Sequence, residues 1–288
     1  ADLRGRSLLR PRIACITNLM HDHQNRYASF TDYEADKMVI FESMPSGGRT
    51  VFPDDEFGRR WSGAAGVEST LVGTVSREPI PGGAWLDGDG CGWFNSGAGK
   101  EMLVPPQLTV PGLPFRGNML FAAVIARLWG CAPEAVRQAA GDYGGVPYRM
   151  EKFLEARGIS FYDDTAATIP DAAAAAVKSM ACPVVLVAGG TDKELDFAPF
   201  EEVAGIPRRI VLLPGSATEA LIPILEEKGA AFEGPVNSMD EAVAAAIAAA
   251  EPGDAVLLSP GAASFGLFRH EFERGDAFKE ACRASFEE

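Results

Sequence analysis

In the second half of the chain, short apolar runs alternate with segments of helical periodicity. Runs such as GISFYDD, PVVLVAGG, RIVLLPG and AVLLSPG are separated by segments such as DAAAAAVKSM, ATEALIPILEEKG and MDEAVAAAIAAAEPG. This alternation is typical of βαβ units on a mostly parallel sheet. We therefore predict an α/β fold with a domain boundary near Val146, which divides the chain into residues 1–145 and 146–288.

The first half has a mixed pattern. The apolar run RIACIT, residues 12–17, predicts a buried strand, and Thr31 with Glu34 three positions later has the spacing of a capping box that opens a helix. Gly-rich turns separate β-like runs within residues 66–110. The segment NMLFAAVIARLWG predicts a helix that ends at Gly130, and CAPEAVRQAAGDY predicts a second helix.

Composition excludes several classes of partner. The formal net charge of −14 opposes binding to a phosphate backbone, so we expect no nucleic-acid partner. The 5 cysteines are scattered and show no C-x-x-C spacing, which argues against disulfides or a zinc site and for a reducing compartment. The longest apolar stretch is too short to span a bilayer, and the basic N-terminus lacks the apolar core of a signal peptide. We expect a cytoplasmic protein without a membrane partner.

Polar residues follow three of the predicted strands in the second half. In an open α/β sheet, ligands bind beyond the carboxyl ends of the strands. Any one of these segments by itself is better explained as a loop with a helix cap, because polar residues are favoured at helix starts. All three at one rim predict a site for a small carboxylate, with Lys193 as its charge partner. The residues concerned are Asp164, Thr165, Thr168, Asp192, Lys193, Ser259 and Ser264.

Lys37 is an unusual residue of the first predicted helix. It stands at i+4 between Tyr33 and Phe41, and so shares a stripe with two aromatic side chains. One interpretation is a lysine whose stem covers apolar surface while its ammonium reaches water. The other is a desolvated lysine whose neutral amine takes up carbon dioxide, because the resulting carbamate is an oxygen ligand for Mg²⁺. Spacing alone leaves both open.

The stretch ITNLMHDHQNRY gives a weak metal signal. It contains His21 and His23, which lack the i, i+4 spacing of two histidines on one helix face. The chain also lacks a G-x-x-x-x-G-K-[ST] phosphate loop, since NSGAGKE has neither the spacing nor the hydroxyl residue after Lys100. Residue patterns alone therefore do not identify a nucleotide site.

Seven collinear segments resemble the Mur ligases, most closely the members that add glutamate. The resemblance covers essentially the whole chain, and the last two segments are the most specific. The segments are NLMHDHQNRY, YEADKMVIF, GNMLFAAV, YRMEKF, FYDDTAATIPDA, VAGGTDKELDF and LLSPGAASFGLFRHEFERG. The resemblance implies the C-terminal part of a central ATPase domain, followed by a Rossmann-like glutamate-binding domain with a mostly parallel sheet.

The resemblance also implies an activity and a set of site residues. The enzyme would be an ATP- and Mg²⁺-dependent ligase that adds D-glutamate to UDP-N-acetylmuramoyl-L-alanine through an acyl phosphate, in peptidoglycan precursor synthesis. His23 matches the family's metal-site histidine and Lys37 its carbamylated lysine, both metal ligands with catalytic roles. Asn118 matches the residue that reads adenine, whereas Arg149 and Asp164 match residues that contact the nucleotide.

The second half is expected to hold the incoming glutamate. Lys193 would be both a substrate ligand and a catalytic residue, and it would share the pocket with Thr168, Ser264, Phe265 and Phe272. The chain departs from the family pattern at three positions. Gly117 replaces the usual histidine before the adenine-reading asparagine, and Ala166 replaces a lysine. The spacing from Ser264 to Phe272 is one residue longer than the common family pattern.

The resemblance begins inside the central domain of the family. Upstream of that point, family members carry a UDP-binding domain, a phosphate loop and a metal-binding glutamate. The chain therefore resembles the C-terminal portion of a longer enzyme, with the missing N-terminal region as its partner. We predict that the isolated chain does not turn over, which is tested by phosphate release with ATP, UDP-N-acetylmuramoyl-L-alanine and D-glutamate.

Two alternatives remain open. One is a related Mur-type ligase for L-glutamate or another amino acid, while a folylpolyglutamate synthase-like enzyme is disfavoured by the segment GGTDKELDF. The other is a non-catalytic module that binds a small carboxylate or a partner protein. That second alternative predicts that Lys37 stays an ordinary amine and that nucleotide has no effect.

Overall fold

The structure is a computed structural model that describes residues 10–19, 27, 29–42, 44–64, 68–74, 78–110 and 112–287. The chain divides into two compact units. The first comprises Ala1–Thr109 and Leu113–Tyr143, and the second comprises Val110–Gly112 and Gly144–Glu288. In the part of the chain that the structure describes, no helix has the length and apolarity needed to cross a membrane.

The first unit is a six-stranded sheet with helices. Its strands lie in the sequential order β1 to β6; the first four are parallel, whereas β5 is antiparallel to both of its neighbours, β4 and β6. Helix α3 packs Leu120, Phe121 and Val124 onto the sheet, and these side chains are almost completely buried. The elements are β1 (Ile13–Cys15), α1 (Phe30–Glu42), β2 (Arg49–Pro53), α2 (Glu56–Ala64), β3 (Glu68–Gly73), β4 (Ala84–Leu86), β5 (Gly92–Asn95), β6 (Lys100–Val104), α3 (Leu113–Trp129) and α4 (Pro133–Asp142).

Helix α1 begins earlier than its sequence pattern predicts. The hydroxyl of Ser29 accepts a hydrogen bond from the backbone N–H of Asp32 at 3.1 Å and donates to the Asp32 carboxylate at 2.8 Å. Ser29 therefore caps the helix, and the predicted capping box at Thr31 is wrong. Glu34 is instead buried, and its carboxylate accepts hydrogen bonds from Arg60 and from the indole of Trp61, so that it joins α1 to α2.

The second unit is a sheet covered on both faces. Its strand order is β11-β10-β9-β12-β8-β7, and only β7 at the edge is antiparallel. The predicted mostly parallel sheet is confirmed. The elements are β7 (Glu151–Ala156), β8 (Ile159–Asp163), α5 (Pro170–Ser179), β9 (Val184–Gly189), α6 (Ala198–Glu201), β10 (Arg209–Leu213), α7 (Ser216–Glu227), β11 (Phe232–Glu233), α8 (Met239–Ala249), β12 (Ala255–Leu258) and α9 (Glu271–Ala284).

The two faces of the second sheet carry separate helical layers. Helices α5, α6 and α7 pack on one face, and α8 and α9 pack on the other. Every residue of β9 is buried, as expected for a parallel strand covered on both sides. The chain leaving β8 and β9 turns to the first layer, whereas the chain leaving β12 between them turns to the second. This reversal of direction opens a crevice at the carboxyl ends of the three strands.

Candidate functional site

Three loops meet at the carboxyl ends of β8, β12 and β9, which are neighbours in the sheet. We call this edge the rim; it comprises residues 164–169, 190–197 and 259–270. Backbone hydrogen bonds tie the loops together. Gly261 donates to Ala167 at 2.9 Å, and Thr191 and Ala263 donate to each other's carbonyls at 2.9 Å. The three polar segments that the sequence predicts at one rim therefore do lie side by side.

Lys193 and Thr168 contact each other at the rim. The Lys193 ammonium donates to the Thr168 hydroxyl at 3.1 Å, although they belong to loops that follow different strands. Lys193 is exposed, whereas Ser264 is buried on the third loop. Phe265 next to it exposes 59% of its surface, while its carbonyl accepts a hydrogen bond from Thr191. The rim thus exposes a cation and an apolar ring, with the half-buried Thr168 beside the cation and the buried Ser264 next to the ring.

Asp164 lies buried where β8 ends. Its carboxylate accepts hydrogen bonds from the Ser259 hydroxyl at 2.7 Å and from the Met150 backbone N–H at 3.1 Å. Burial raises the pKa of Asp164 to about 7, although these hydrogen bonds and the charge of Arg149 act in the opposite direction. Arg149 is exposed. The two residues matched to nucleotide contacts are therefore electrostatic neighbours in the second unit.

The turn that carries Arg149 has an uncommon backbone. Tyr148 and Met150 on either side have φ values of 65° and 47°, in the left-handed region that favours glycine. The Tyr148 N–H donates to Glu151 Oε2 at 2.9 Å, and the Tyr148 carbonyl accepts from the Ala166 N–H at 3.1 Å. These bonds hold the turn against the rim.

Helix α9 supports this turn, a role that the sequence did not indicate. The Tyr148 hydroxyl donates to Asp276 at 2.9 Å, and its ring lies 5.0 Å from the ring of Phe272. Phe272 is 46% exposed, and its described ring contacts are with Tyr148 and His270. It therefore stands on the Arg149 side of the rim, and its place in a glutamate pocket stays a prediction.

A buried ionic cluster lies under the rim. Lys279 Nζ lies 2.5 Å from Glu151 Oε2 and 3.2 Å from Asp163 Oδ2, close enough for two ion pairs. The second contact lacks hydrogen-bond geometry, so Asp163 Oδ2 is buried without a hydrogen-bond donor among the described residues. Burial raises the pKa of Asp163, and the charge of Lys279 limits that rise. The sequence signals for this cluster are limited to the adjacent Asp163 and Asp164 and to Lys279, which follows the segment ERG at residues 273–275.

Arg274 is a second buried cation that sequence reasoning missed. It is fully buried, and its guanidinium donates to the Thr165 hydroxyl at 2.9 Å, to the Thr165 carbonyl at 2.9 Å and to the Ala262 carbonyl at 3.0 Å. Its charge was visible in the segment FERG, but its burial was not. These contacts join the loop after β8 to the loop after β12.

A separate pocket of about 410 Å³ lies in the first unit. Residues after β1 form one wall, and helices α1 and α3 form the others. Lys37 and Asn118 both line it, so the residues matched to metal binding and to adenine reading share one cavity. Lys37 is half-buried with its Nζ 5.1 Å from the ring centroid of Tyr33. The lining residues are Cys15, Ile16, Thr17, Asn18, Leu19, Tyr33, Lys37, Asn118, Phe121, Ala122 and Ile125.

The glycine before Asn118 has a packing reason. A Cβ atom at Gly117 would lie 2.9 Å from Cγ2 of Thr74 and 3.3 Å from Thr74 Cβ. The first distance is shorter than carbon atoms tolerate without movement. A histidine at position 117 would therefore displace Thr74.

The pocket fits part of a nucleotide better than it fits a metal ion. Its volume lies within the range of roughly 300–1,000 Å³ that small-molecule sites span, and it combines apolar walls with an amide and a cation. His23 lies outside the described residues. Among those that are described, no group of three or more His, Cys, Asp or Glu side chains is placed to hold a metal. An ammonium at Lys37 would repel Mg²⁺, so these residues alone do not form a magnesium site.

Two family models match the sequence. That of the Mur ligase middle domain matches residues 2–80, and that of the Mur ligase glutamate ligase domain matches residues 148–261. The first match lies in the first unit and contains Lys37. The second lies in the second unit and contains the ends of β8, β9 and β12.

Curated relatives extend over nearly the whole chain. The UDP-N-acetylmuramoylalanine–D-glutamate ligase of Treponema pallidum is 33% identical over 97% of this chain and 63% of that ligase. The ligase of the same name from Roseiflexus is 34% identical over 96% of this chain and 61% of that ligase. The chain thus spans less than two thirds of the length of these relatives.

Solved structures share the fold at low sequence identity. MurF from Acinetobacter baumannii superimposes with a TM-score of 0.68 at 18% identity, over 96% of this chain and 61% of that one. UDP-N-acetylmuramate-alanine ligase MurC from Thermotoga maritima gives 0.69 at 16% identity, over 97% and 61%. Domain matches, relatives and fold agree, and the chain therefore belongs to the Mur ligase family, of which it carries middle-domain sequence followed by the glutamate ligase domain.

Proposed function

We propose that this chain contributes the amino-acid site and part of the nucleotide site of a ligase that joins D-glutamate to UDP-N-acetylmuramoyl-L-alanine. The functional division would follow the boundary near residue 146. One observation carries the proposal: Lys193 and Thr168 are in contact at the rim where three loops converge. The names of the curated relatives supply the substrate pair.

The rim has the chemistry that a small dicarboxylate requires. Lys193 is an exposed ammonium that can bind a carboxylate as a compact point charge. The hydroxyls of Thr168 and Ser264 can donate hydrogen bonds to carboxylate oxygens. The net charge of −14 makes a local cation necessary, because the long-range field of the protein repels anions.

In the proposed reaction, ATP phosphorylates the carboxylate of the muramoyl-alanine substrate and ADP leaves. The amine of D-glutamate then attacks the acyl carbon and loses a proton, an amide bond forms, and phosphate leaves. Lys193, Thr168 and Ser264 would hold the carboxylates of the amino acid so that its amine is free to react. Their contribution is orientation, which converts an encounter between two substrates into a reaction within one complex.

The pocket of the first unit would hold the adenine end of ATP. Asn118 would hydrogen-bond the base, and Phe121 and Ile125 would contact its apolar face. We also propose Arg149 and Asp164 of the second unit as nucleotide contacts, on the family match of these two residues alone. Mg²⁺ enters the same proposal through His23 and through Lys37 as a carbamate, whose oxygens are ligands that Mg²⁺ accepts. A reaction of ATP with a UDP-linked precursor would take place in the cytoplasm.

Calorimetric titration of the chain with D-glutamate tests the amino-acid site. We expect binding by the unmodified chain and an affinity at least about tenfold lower in Lys193→Met, because loss of a charge-assisted contact costs about 1.5–3 kcal/mol. Lys178→Met is the matched control, since Lys178 is an exposed lysine of the same unit that pairs with Glu202. Equal affinity in the two variants would contradict the assignment of Lys193.

The same titration separates the alternatives. Binding of L-glutamate in preference to D-glutamate would indicate a ligase for a different amino acid. Binding of D-glutamate without any binding of ATP, and with Lys37 an ordinary amine, would favour a non-catalytic carboxylate-binding module. Failure of both enantiomers to bind would overturn the proposed amino-acid site.

A further inference from the structure

Arg274 occupies a position that sequence matching did not single out. It is the largest side chain that is fully buried in the described part of the chain. Each of its three guanidinium nitrogens donates one hydrogen bond, two to Thr165 and one to Ala262, at 2.9–3.0 Å. The planar fork of the guanidinium therefore spans two separate loops at once.

The acceptors of Arg274 are all neutral. Two are backbone carbonyls and one is a hydroxyl, and among the described residues the guanidinium forms no ion pair. Burial lowers the pKa of Arg274 to about 10, with the charges of Glu271 and Asp163 acting in the opposite direction. The side chain thus stays cationic at neutral pH. A buried cation with neutral acceptors is costly, because the charge loses its hydration without gaining an ion pair.

The two loops joined by Arg274 carry Thr168 and Ser264, the residues whose hydroxyls are proposed to bind glutamate. Thr165 lies three residues before Thr168, and Ala262 lies two residues before Ser264. The Thr165 hydroxyl, which accepts from Arg274, in turn donates to the carbonyl of Glu271 at the start of α9 at 2.9 Å. Helix α9 and both loops therefore share one hydrogen-bonded junction.

We propose that Arg274 is a positioning residue of the amino-acid pocket, which holds the loop after β8 and the loop after β12 at the separation that lets Thr168 and Ser264 contact one ligand. The identity of that ligand rests on the proposed function. The clamp itself concerns the free protein, and so it can be tested without a ligand.

Three variants separate a clamp from simple filling of the core. Arg274→Lys keeps the charge but loses the fork, so it cannot reach Thr165 and Ala262 together. Arg274→Met keeps most of the volume and loses the charge. Thr165→Val keeps the shape of its side chain and removes only the hydroxyl. Arg208→Lys is the matched control, because Arg208 pairs with the buried Asp254 at the opposite end of the same sheet.

The first measurement is the backbone amide spectrum of each ligand-free variant by NMR. We expect the Thr168 and Ser264 resonances to shift or broaden together in Arg274→Lys, and Thr165→Val to give a smaller change at both. Arg208→Lys should leave both resonances in place. Thermal unfolding midpoints will fall for a structural residue and a positioning residue alike, so the coupled change on two loops is the decisive readout.

The second measurement is D-glutamate affinity by calorimetry. We expect about a tenfold loss in Arg274→Lys and a larger loss in Arg274→Met, against no loss in Arg208→Lys. Unchanged amide resonances and unchanged affinity in Arg274→Lys would overturn the inference. If the Arg274 variants do not fold, a Thr165→Val effect confined to the Thr168 loop overturns it. If the unmodified chain binds no D-glutamate, the proposed function fails while the ligand-free spectra still decide the clamp.

Discussion

The two candidate sites of this chain are built in different ways. The rim of the second unit is assembled from loops that are tied together by backbone hydrogen bonds and underlaid by buried charges such as Arg274 and Lys279. The pocket of the first unit is a cavity between a strand end and two helices. Its polar residues Lys37 and Asn118 are half-buried or exposed on its walls.

This difference indicates where function and stability are coupled. A substitution under the rim removes a partner from a buried charge, so it is expected to lower the free energy of unfolding together with ligand affinity. A substitution on the wall of the open pocket removes a ligand contact that solvent can replace. It is expected to change affinity with little change in stability.

Lys279→Met should have the largest effect on stability. It leaves Glu151 and Asp163 without their cation, and breaking a buried ion pair on one side costs about 3 kcal/mol or more. Chemical denaturation followed by circular dichroism measures the loss. Lys152→Met is the control, because Lys152 pairs with the exposed Glu155 and its loss should leave the midpoint in place. An unchanged denaturation midpoint in Lys279→Met would show that the ionic cluster is not needed to support the rim.

Asp164→Asn should change how stability depends on pH. The pKa of Asp164 is raised by burial to about 7 in the folded state, against an ordinary value of 3.8. The folded state therefore holds a proton that the unfolded state releases, so this group's stabilising contribution is complete below pH 4 and is lost as pH rises to about 7.

Denaturation of both proteins at pH 5 and pH 7 measures this contribution. Between pH 5 and pH 7, the free energy of unfolding of the unmodified chain should fall by about 2 kcal/mol more than that of the asparagine variant, at about 1.4 kcal/mol for each pH unit. The difference between the two proteins is the relevant quantity, because other carboxyls such as Glu151 have lowered pKa values and act in the opposite sense. Parallel pH profiles would place Asp164 in a more solvated environment.

Gly275→Ala should also lower the free energy of unfolding, but by less than Lys279→Met does. An added Cβ would lie 2.7 Å from Asp163 Oδ2 and 2.8 Å from both Thr165 Cγ2 and Tyr148 Cδ1, so α9 would be pushed off the rim. Overpacking of this kind costs about 1–3 kcal/mol, partly offset by the better helix propensity of alanine. Gly141→Ala in α4 is the control, since its nearest contact would be an ordinary 3.5 Å to Pro105 and a gain of up to about 1 kcal/mol is expected. Equal midpoints in the two variants would contradict close packing at Gly275.

Asn118→Ala should have the smallest effect on stability. Asn118 is exposed on the wall of the first unit's pocket, so the free energy of unfolding should change by less than about 0.5 kcal/mol. Adenine nucleotide affinity, measured by calorimetry, should fall several-fold for the loss of one neutral hydrogen bond. A large loss of stability with unchanged affinity would reverse the contrast between the two units.

Several elements could be predicted because their signals are local. Pro133 at the first turn of α4, the glycine after α3, and the apolar runs of β8, β9, β10 and β12 all appear where the pattern places them. The antiparallel edge strand β7 and helix α9 were not predicted. The cap of α1 was misplaced because Ser29 and Thr31 offer similar local chemistry, and only the hydrogen bond from Asp32 distinguishes them.

The amino-acid sequence by itself determined the α/β class, the mostly parallel second sheet, the family, and the residue types at the strand ends. These follow from periodicity and from residues that are adjacent in the chain. The tertiary structure decided that β12 lies between β8 and β9, which brings Thr168 to Lys193 and Asp164 to Ser259. It also decided that Arg274 is buried. Such contacts join residues about 25–110 positions apart, and their energies depend on burial and partners that no local pattern records.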